Sequence, residues 1–337
     1  MLLRRLPSLL LLFAPATAFV PRSPSRGGSS RGSTSLAALS ERQQQFWEDV
    51  ESGLDDIADF YQSKRNLDID RIRLFGKSAR GEIDPPKGSM EGHDPSEEHV
   101  DGLTARPFWD AADMPEEFPW APQLEEKADI IQQEFAAKLA EQESQMFASD
   151  SAWQNQVMGG GWSAVRLQRL GVWNEENCRQ FPQTYELIRS LNIPLAVRGV
   201  CFARQAPGSG VQPHSDGRNF ILTSHLGLKI PEACWIEVGT ERRGWEEGKL
   251  TTLDTSFTHS TGNPSSEDRH VLIIDYWHPE LSEAERAALE FVYDLRNKFE
   301  SGLVPMRRPR GTFAPKDEQQ EEGGLGAWFS KNFGGDN

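Results

Sequence analysis

With 337 residues the chain has room for one domain of about 200 to 250 residues plus flanking segments, or for two small domains. Its formal charge is -15, and the first forty residues hold five arginines and no acid, so the rest is more acidic still. Such a body does not hold a phosphate backbone by bulk electrostatics, which argues against nucleic acid as a partner. The three cysteines, Cys178, Cys201 and Cys234, are too few and too far apart for a disulfide scaffold or a four-sulfur zinc site, and they read as buried thiols.

Residues 1–18 have the three parts of a signal peptide: Arg4 and Arg5, an apolar stretch from Leu9 to Ala16, and the small-residue pattern Ala16-Thr17-Ala18. The apolar run is too short for a permanent membrane span. From Phe19 to Ser40 the chain is rich in Ser, Arg, Gly and Pro, a transit-peptide composition. The two parts together resemble the bipartite plastid-targeting leader of algae with secondary plastids. The alternative is an ordinary secretory leader followed by a linker, with the secretory lumen as destination.

From Gln43 to Lys64, Trp47, Val50, Leu54, Ile57 and Phe60 or Tyr61 recur at helical spacing. Residues 77–122, crowded with Gly, Pro and acids, read as a long connection with short ordered pieces. A helix then starts at Pro122 with Leu124, Ala128, Ile131, Phe135 and Leu139 on one face. After Gly161 the pattern changes to short strands at 162–168, 195–204, 219–228, 233–238, 249–253 and 270–276, broken by a helix near 183–191. Many short strands with turn residues between them predict a mainly β sandwich or barrel. Ser282 with Glu285 forms a capping box that opens a final helix through Leu289, Val292 and Leu295. Beyond Gly302 the chain turns Pro-, Gly- and Glu-rich, and 301–337 reads as a disordered tail.

Five of the seven histidines fall between 214 and 278. Within Pro213-His214-Ser215-Asp216, strand alternation would put the His214 and Asp216 side chains on one face. Two imidazoles and a carboxylate on one triangular face of an octahedral iron(II) leave three positions open, enough for a bidentate oxo-acid and dioxygen. A third ligand must come from elsewhere, and His259, at the end of a predicted strand, is in place to supply it. Arg269 enters an apolar strand, where its burial is unfavourable without an anion to pair with; the distal carboxylate of 2-oxoglutarate would be such an anion.

The segments PHSDGRNF, HLGLKIP, WEEGKL, DTSFTHS and DRHVLIIDYWHPEL resemble, in order and spacing, the signature blocks of the aspartyl/asparaginyl β-hydroxylase family, and GGGWSAVRLQRLGVWNEENC and FARQAPGSGVQPH are similar upstream. The resemblance implies a double-stranded β-helix, a cupin-like jelly roll with flanking α-helices. It implies that His214 and His259 hold iron(II), Arg269 the distal carboxylate of 2-oxoglutarate and His225 its other carboxylate, with Trp162 lining the pocket. Three positions depart from the family pattern. Asp216 stands where the animal members have glycine, and so completes the His214, Asp216, His259 triad. Thr223 replaces an arginine two residues before His225, with Arg218 as the candidate substitute, and Ala203 replaces a serine.

The expected organisation is a leader over 1–40, a helix and acidic connection over 41–101, an oxygenase domain over 102–300 and the tail. The function so implied is hydroxylation of an Asp or Asn side chain of a polypeptide by iron(II), 2-oxoglutarate and dioxygen, with small-molecule substrates also open. Two alternatives stand beside it: a jelly-roll metal- or ligand-binding module without turnover, because Thr223 and Ala203 weaken the cosubstrate site, and a zinc hydrolase on the same three ligands. His270 and His278 have no ligand role in this scheme, His278 reading as a structural hydrogen-bonding residue, and His93 and His99 read as solvated.

Overall fold

The computed structural model describes residues 41–80, 82–84, 88, 90–94, 98–147, 161–302, 311, 313 and 315. The leader read over 1–40 and nearly all of the tail read over 301–337 lie outside them. Among the described residues no helix is long and apolar enough to cross a membrane.

The chain starts with α1 (Glu41–Arg65), whose buried face carries Phe46, Val50, Leu54, Ile57 and Tyr61, as the spacing predicts. A second helix, α2 (Asp70–Ala79), follows where no element is expected from the pattern. The long connection includes β1 (Phe108–Trp109) and a 3-10 turn at Ala111–Asp113. The helix expected from Pro122 onward is two helices, α3 (Ala121–Glu126) and α4 (Ala128–Met146), separated at Lys127. Glu125 at the end of α3 accepts from the Leu250 N–H and from Lys249 Nζ, both at 2.8 Å, which ties this break to the edge of the sheet.

The strands are β2 (Trp162–Arg169), β3 (Val172–Trp173), β4 (Leu195–Gln205), β5 (Ser209–His214), β6 (Ile221–Lys229), β7 (Trp235–Val238), β8 (Glu241–Arg243), β9 (Leu250–Asp254), β10 (His259–Asn263) and β11 (Arg269–Trp277). Between β3 and β4 lie α5 (Glu175–Gln180) and α6 (Pro182–Ser190), and α7 (Glu283–Glu300) closes the domain behind the expected Ser282 capping box. All pairings of named strands are antiparallel: a seven-stranded sheet in the order β1-β9-β6-β11-β4-β2-β3 faces a four-stranded sheet in the order β5-β10-β7-β8. This is the double-stranded β-helix of the sequence reading, with helices on its outside.

Strand β6 is buried along its length apart from Lys229 because both faces are covered. Leu222, Leu226 and Leu228 join the core under α3, α4 and α6, with Phe135, Phe202 and Tyr276. Thr223 and His225, one step out of phase, fall on the face towards the small sheet. The inter-sheet core is built from Trp162, Ala164, Ala203, Val211, Ile236, Phe257 and Val271. A third core joins α1, α2 and α7 to Phe220, Ile221 and Trp277 at one end of the sheet, so the first two helices serve as packing there.

Candidate metal centre

His214 ends β5 and His259 begins β10, and the two residues are direct cross-strand partners. Their ring centroids lie 4.2 Å apart with the planes inclined by 49°. Each ring uses Nδ1 on the carbonyl two residues back, His214 on Gln212 and His259 on Phe257, both at 2.9 Å. A carbonyl only accepts, so Nδ1 carries the proton in both rings and Nε2 presents its lone pair. The His214 Nε2 atom is buried without a hydrogen-bond partner and lies 3.8 Å from Asp216 Oδ1. One ligand atom from each of His214, Asp216 and His259 falls within 4.8 Å of the others.

Asp216 reaches this place by a different route from the one expected. The strand ends at His214, and Asp216 lies in the following turn, its N–H on Thr255 O at 2.9 Å. Ser215 Oγ donates to Ser256 O at 2.8 Å and accepts from the Gly217 N–H at 3.0 Å. Hydrogen bonding between the 215–217 and 254–256 segments, not alternation along one strand, therefore brings the carboxylate to the histidines. His259, likewise, opens its own strand β10 after the turn that follows β9.

Burial disfavours the charged form of Asp216, but Arg198 and the two histidines outweigh it and hold the carboxyl well below the usual range. Burial lowers His259 to about 4 against the pull of Asp216. Two imidazole Nε2 atoms beside an ionised carboxylate are a donor set that suits a divalent cation, iron(II) among them.

Arg269 is 2% exposed, and its Nε and Nη1 atoms are buried without hydrogen-bond partners. The guanidinium sits over the Trp245 ring, 4.4 Å from its centroid, and burial pushes it down to about 10. Trp162 and Arg269 are both register partners of Gln205, on opposite sides of β4, so the three residues form a row across β2, β4 and β11. His225 Nδ1 accepts from Trp245 Nε1 at 3.2 Å. Burial, then Arg269, lower this imidazole well below its ordinary range, so it is neutral and its proton sits on Nε2, ready to donate. A buried cation with two unsatisfied donors, next to a neutral N–H, fits a carboxylate guest.

Trp245 was not expected in this role; in WEEGKL it reads as the opening of the strand that leads to His259. Arg198 was missed as well. Its Nη1 donates to Asp216 Oδ2, and its Nη2 lies 2.9 Å from Thr223 Oγ1, 3.1 Å from Thr255 Oγ1 and 3.0 Å from Asp275 Oδ1. The signal was available, since Arg198 interrupts the run Leu195 to Phe202 just as Arg269 opens an apolar strand.

Arg218, the expected substitute for an arginine at 223, is committed elsewhere: it pairs with Glu98, as does Arg296. His99, expected to be solvated, is 9% exposed with Nε2 3.5 Å from the Asn219 amide, and His93 stacks on Phe257 at 4.8 Å. Both sit on a connection that the fold covers. His278 has the structural role expected, with Nε2 3.1 Å from Thr104 O and Nδ1 accepting from the Glu280 N–H at 3.2 Å. His270 points away from the centre, against Phe135 and Phe147. Cys178 and Cys234 are buried free thiols as expected, while Cys201 is half-buried.

Asp254 is buried below the metal loop. Its Oδ1 accepts from Ser256 N and Oγ at 2.9 and 2.6 Å, while Oδ2 has no partner. Burial raises this carboxyl to about 7, with the Ser256 bonds opposing. The folded chain thus binds this proton more tightly than the unfolded one. The stability it contributes is complete below the unfolded value of about 4 and is lost as the pH rises through about 7. Asp254→Asn keeps the Oδ1 acceptor and removes the ionisation. Its melting temperature is expected to equal the parent's near pH 4 and to exceed it by several degrees at pH 8. Calorimetric scans across that range check this, and an offset independent of pH contradicts it.

The jelly roll thus holds two histidines and a carboxylate close enough together to share one cation, with the buried Arg269 on the same inner side. Residues 125–279 match the family model described as Aspartyl/Asparaginyl beta-hydroxylase. The chain is 32% identical over 189 residues to the rat aspartate beta-hydroxylase domain-containing protein 2, covering 52% of this chain and 55% of the relative. It is 32% identical over 197 residues to the mouse aspartyl/asparaginyl beta-hydroxylase, covering 57% of this chain and 26% of the relative. The chain thus spans about half or less of the length of these curated relatives. Among solved structures, a Pseudomonas putida prolyl-4-hydroxylase aligns with TM-score 0.30 and 15% identity, over 45% of this chain and 87% of that one. A cupin 2 conserved barrel protein from Salinispora arenicola aligns with TM-score 0.24 and 14% identity, over 44% and 90%.

Proposed function

We propose that the protein is an iron(II)- and 2-oxoglutarate-dependent dioxygenase that hydroxylates a carbon of an Asp or Asn side chain in a polypeptide. The observation that carries this reading is the pairing of a His214, Asp216, His259 cluster with the buried guanidinium of Arg269, whose two orphaned donors call for a carboxylate. A hydrolase using zinc on the same ligands leaves Arg269 without a reason.

Iron(II), 2-oxoglutarate and dioxygen, when bound, supply an oxidant by oxidative decarboxylation of the oxo-acid to succinate and carbon dioxide. The chain's own residues position and shield this chemistry. His214 and His259, fixed by the carbonyls of Gln212 and Phe257, offer Nε2 with little rearrangement. Asp216 adds the anionic ligand. Arg269 holds the distal carboxylate of the oxo-acid, His225 donates from Nε2 to its other end, and Trp162 and Trp245 wall the pocket and exclude water. The Asp or Asn target is taken from the names of the relatives, with a polypeptide as its carrier; a small molecule is the second candidate.

The test is succinate formation from 2-oxoglutarate by protein loaded anaerobically with iron(II) and then exposed to oxygen, beside a His259→Ala control. Turnover in the parent, at least a hundredfold lower in the variant, is the expected result. Adding Asp- and Asn-containing polypeptides should increase turnover and give a product heavier by one oxygen. Bound iron without turnover favours a binding module, a reading that rests on Ala203, which is fully buried between Ala164 and Val271 and offers the pocket no side-chain donor.

A further inference from the structure

Asp216 has its two oxygens committed in different directions. Oδ1 is the atom 3.8 Å from His214 Nε2, and Oδ2 accepts from Arg198 Nη1. Arg198 comes from β4, and Thr223 lies on β6 with β11 between them. The guanidinium crosses that gap: Nη2 reaches Thr223 Oγ1 at 2.9 Å and Asp275 Oδ1, on the intervening strand, at 3.0 Å. Thr223 Oγ1 in turn donates to Asp275 Oδ1 at 2.5 Å. Beside Arg198 the sheet is irregular. The pairing of β4 slips against both β2 and β11, and Gly199 has φ of 75°. A Cβ at position 199 would lie 2.2 Å from the Gln168 carbonyl oxygen, so this irregularity requires glycine.

This arrangement links two features that are separate in the sequence, a carboxylate at 216 and a short side chain at 223. A long cationic side chain at 223 would compete with the Arg198 head for the same volume and the same acceptor, Asp275. Threonine leaves the volume open and adds a hydroxyl. The side chain of Arg198 is 12% exposed, so its charge acts in a poorly solvated setting, with Nη1 on Asp216 Oδ2 and Nη2 anchored on Thr223, Thr255 and Asp275.

We propose that Arg198 is the positioning residue of the metal centre: it holds Asp216 as a one-oxygen ligand, Oδ2 on the guanidinium and Oδ1 towards the metal, from the place that an arginine at 223 would otherwise fill. The proposal rests on the metal site of the preceding reading, but not on its cosubstrate or substrate.

Cobalt(II) is the probe, because its visible absorption reports the number and type of ligands without turnover. The full chain is loaded with cobalt(II) as the parent and as Arg198→Met, Asp216→Ala, and the double variant. The Arg198→Met spectrum is expected to move from the parent's to that of Asp216→Ala, with cobalt affinity at least tenfold weaker, and the double variant should show no further loss. Adding Thr223→Arg to Arg198→Met is expected to restore the parent spectrum. A parent-like spectrum for Arg198→Met, or equal and additive losses in the double variant, overturns the proposal, as does a folded rescue variant that restores nothing. Should Arg198→Met fail to fold, Arg198→Lys carries the test: a point charge without the fork should give an intermediate spectrum, and identity with the parent overturns it. A parent that binds neither cobalt(II) nor iron(II) sinks the metal site itself, a failure distinct from these.

Discussion

Arg269→Met is expected to lose affinity for 2-oxoglutarate by a hundredfold or more, and to melt at a higher temperature than the parent when no oxo-acid is present. The two effects have one cause. In the folded chain the Arg269 guanidinium is 2% exposed and has two donors without acceptors, so the unliganded protein carries an uncompensated buried charge. Replacing it by an apolar side chain of similar length removes that penalty, which is worth one to several kcal/mol in comparable substitutions, roughly. A carboxylate guest instead gains charged hydrogen bonds of about 1.5 to 3 kcal/mol each, and a bidentate pair of these exceeds a hundredfold in affinity. Calorimetric titration of manganese(II)-loaded protein with 2-oxoglutarate, with melting curves of the free proteins, measures both. Unchanged affinity would remove Arg269 from the pocket. A lower melting temperature would mean that its charge is already compensated in the free chain.

Glu98→Ala is expected to destabilise the domain by about 3 to 5 kcal/mol, a drop of about 10 °C in melting temperature. Glu98 accepts from Arg218, from Arg296 and from the Tyr293 hydroxyl, so its loss leaves a buried and a half-buried guanidinium group without their shared carboxylate. Burial opposes its ionisation, but Arg218 and Arg296 outweigh this and hold its carboxyl well below the usual range. Its stabilising share is therefore complete above the unfolded value of about 4.3 and falls away as the pH drops below it. The network also joins the 98–101 connection and α7 to Arg218, two residues past Asp216, and the variant should bind cobalt(II) more weakly as well. Thermal melts at neutral pH decide the stability claim. A change below about 1 kcal/mol would show that solvent replaces Glu98 with little loss.

The sequence by itself determined the class of fold and most of the candidate site. Alternating short strands after Gly161, a terminal helix with its own capping box, and a cluster of histidines are local patterns, and each is set by residues within a few positions of one another. The structure brings His214, Asp216 and His259 together, and it sets Trp162 in the inter-sheet core with Trp245, against which Arg269 and His225 lie. Periodicity is weaker where the chain has none: α2, the split at Lys127 and strand β10 were not separable from their surroundings by pattern alone.

What only the tertiary structure decided is which charges meet. Asp216 reaches the histidines through backbone bonds to a turn some forty residues away, not through strand alternation. Thr223 finds its arginine at position 198, across an intervening strand, while Arg218, five residues away, is drawn off to Glu98 more than a hundred positions earlier. Such partners depend on strand order and on the bulge at Gly199, and pairing across a sheet leaves no fixed spacing in the chain. Local propensity is written in neighbouring residues, whereas the compensation of a buried charge is settled by whichever opposite charge the completed fold delivers to it.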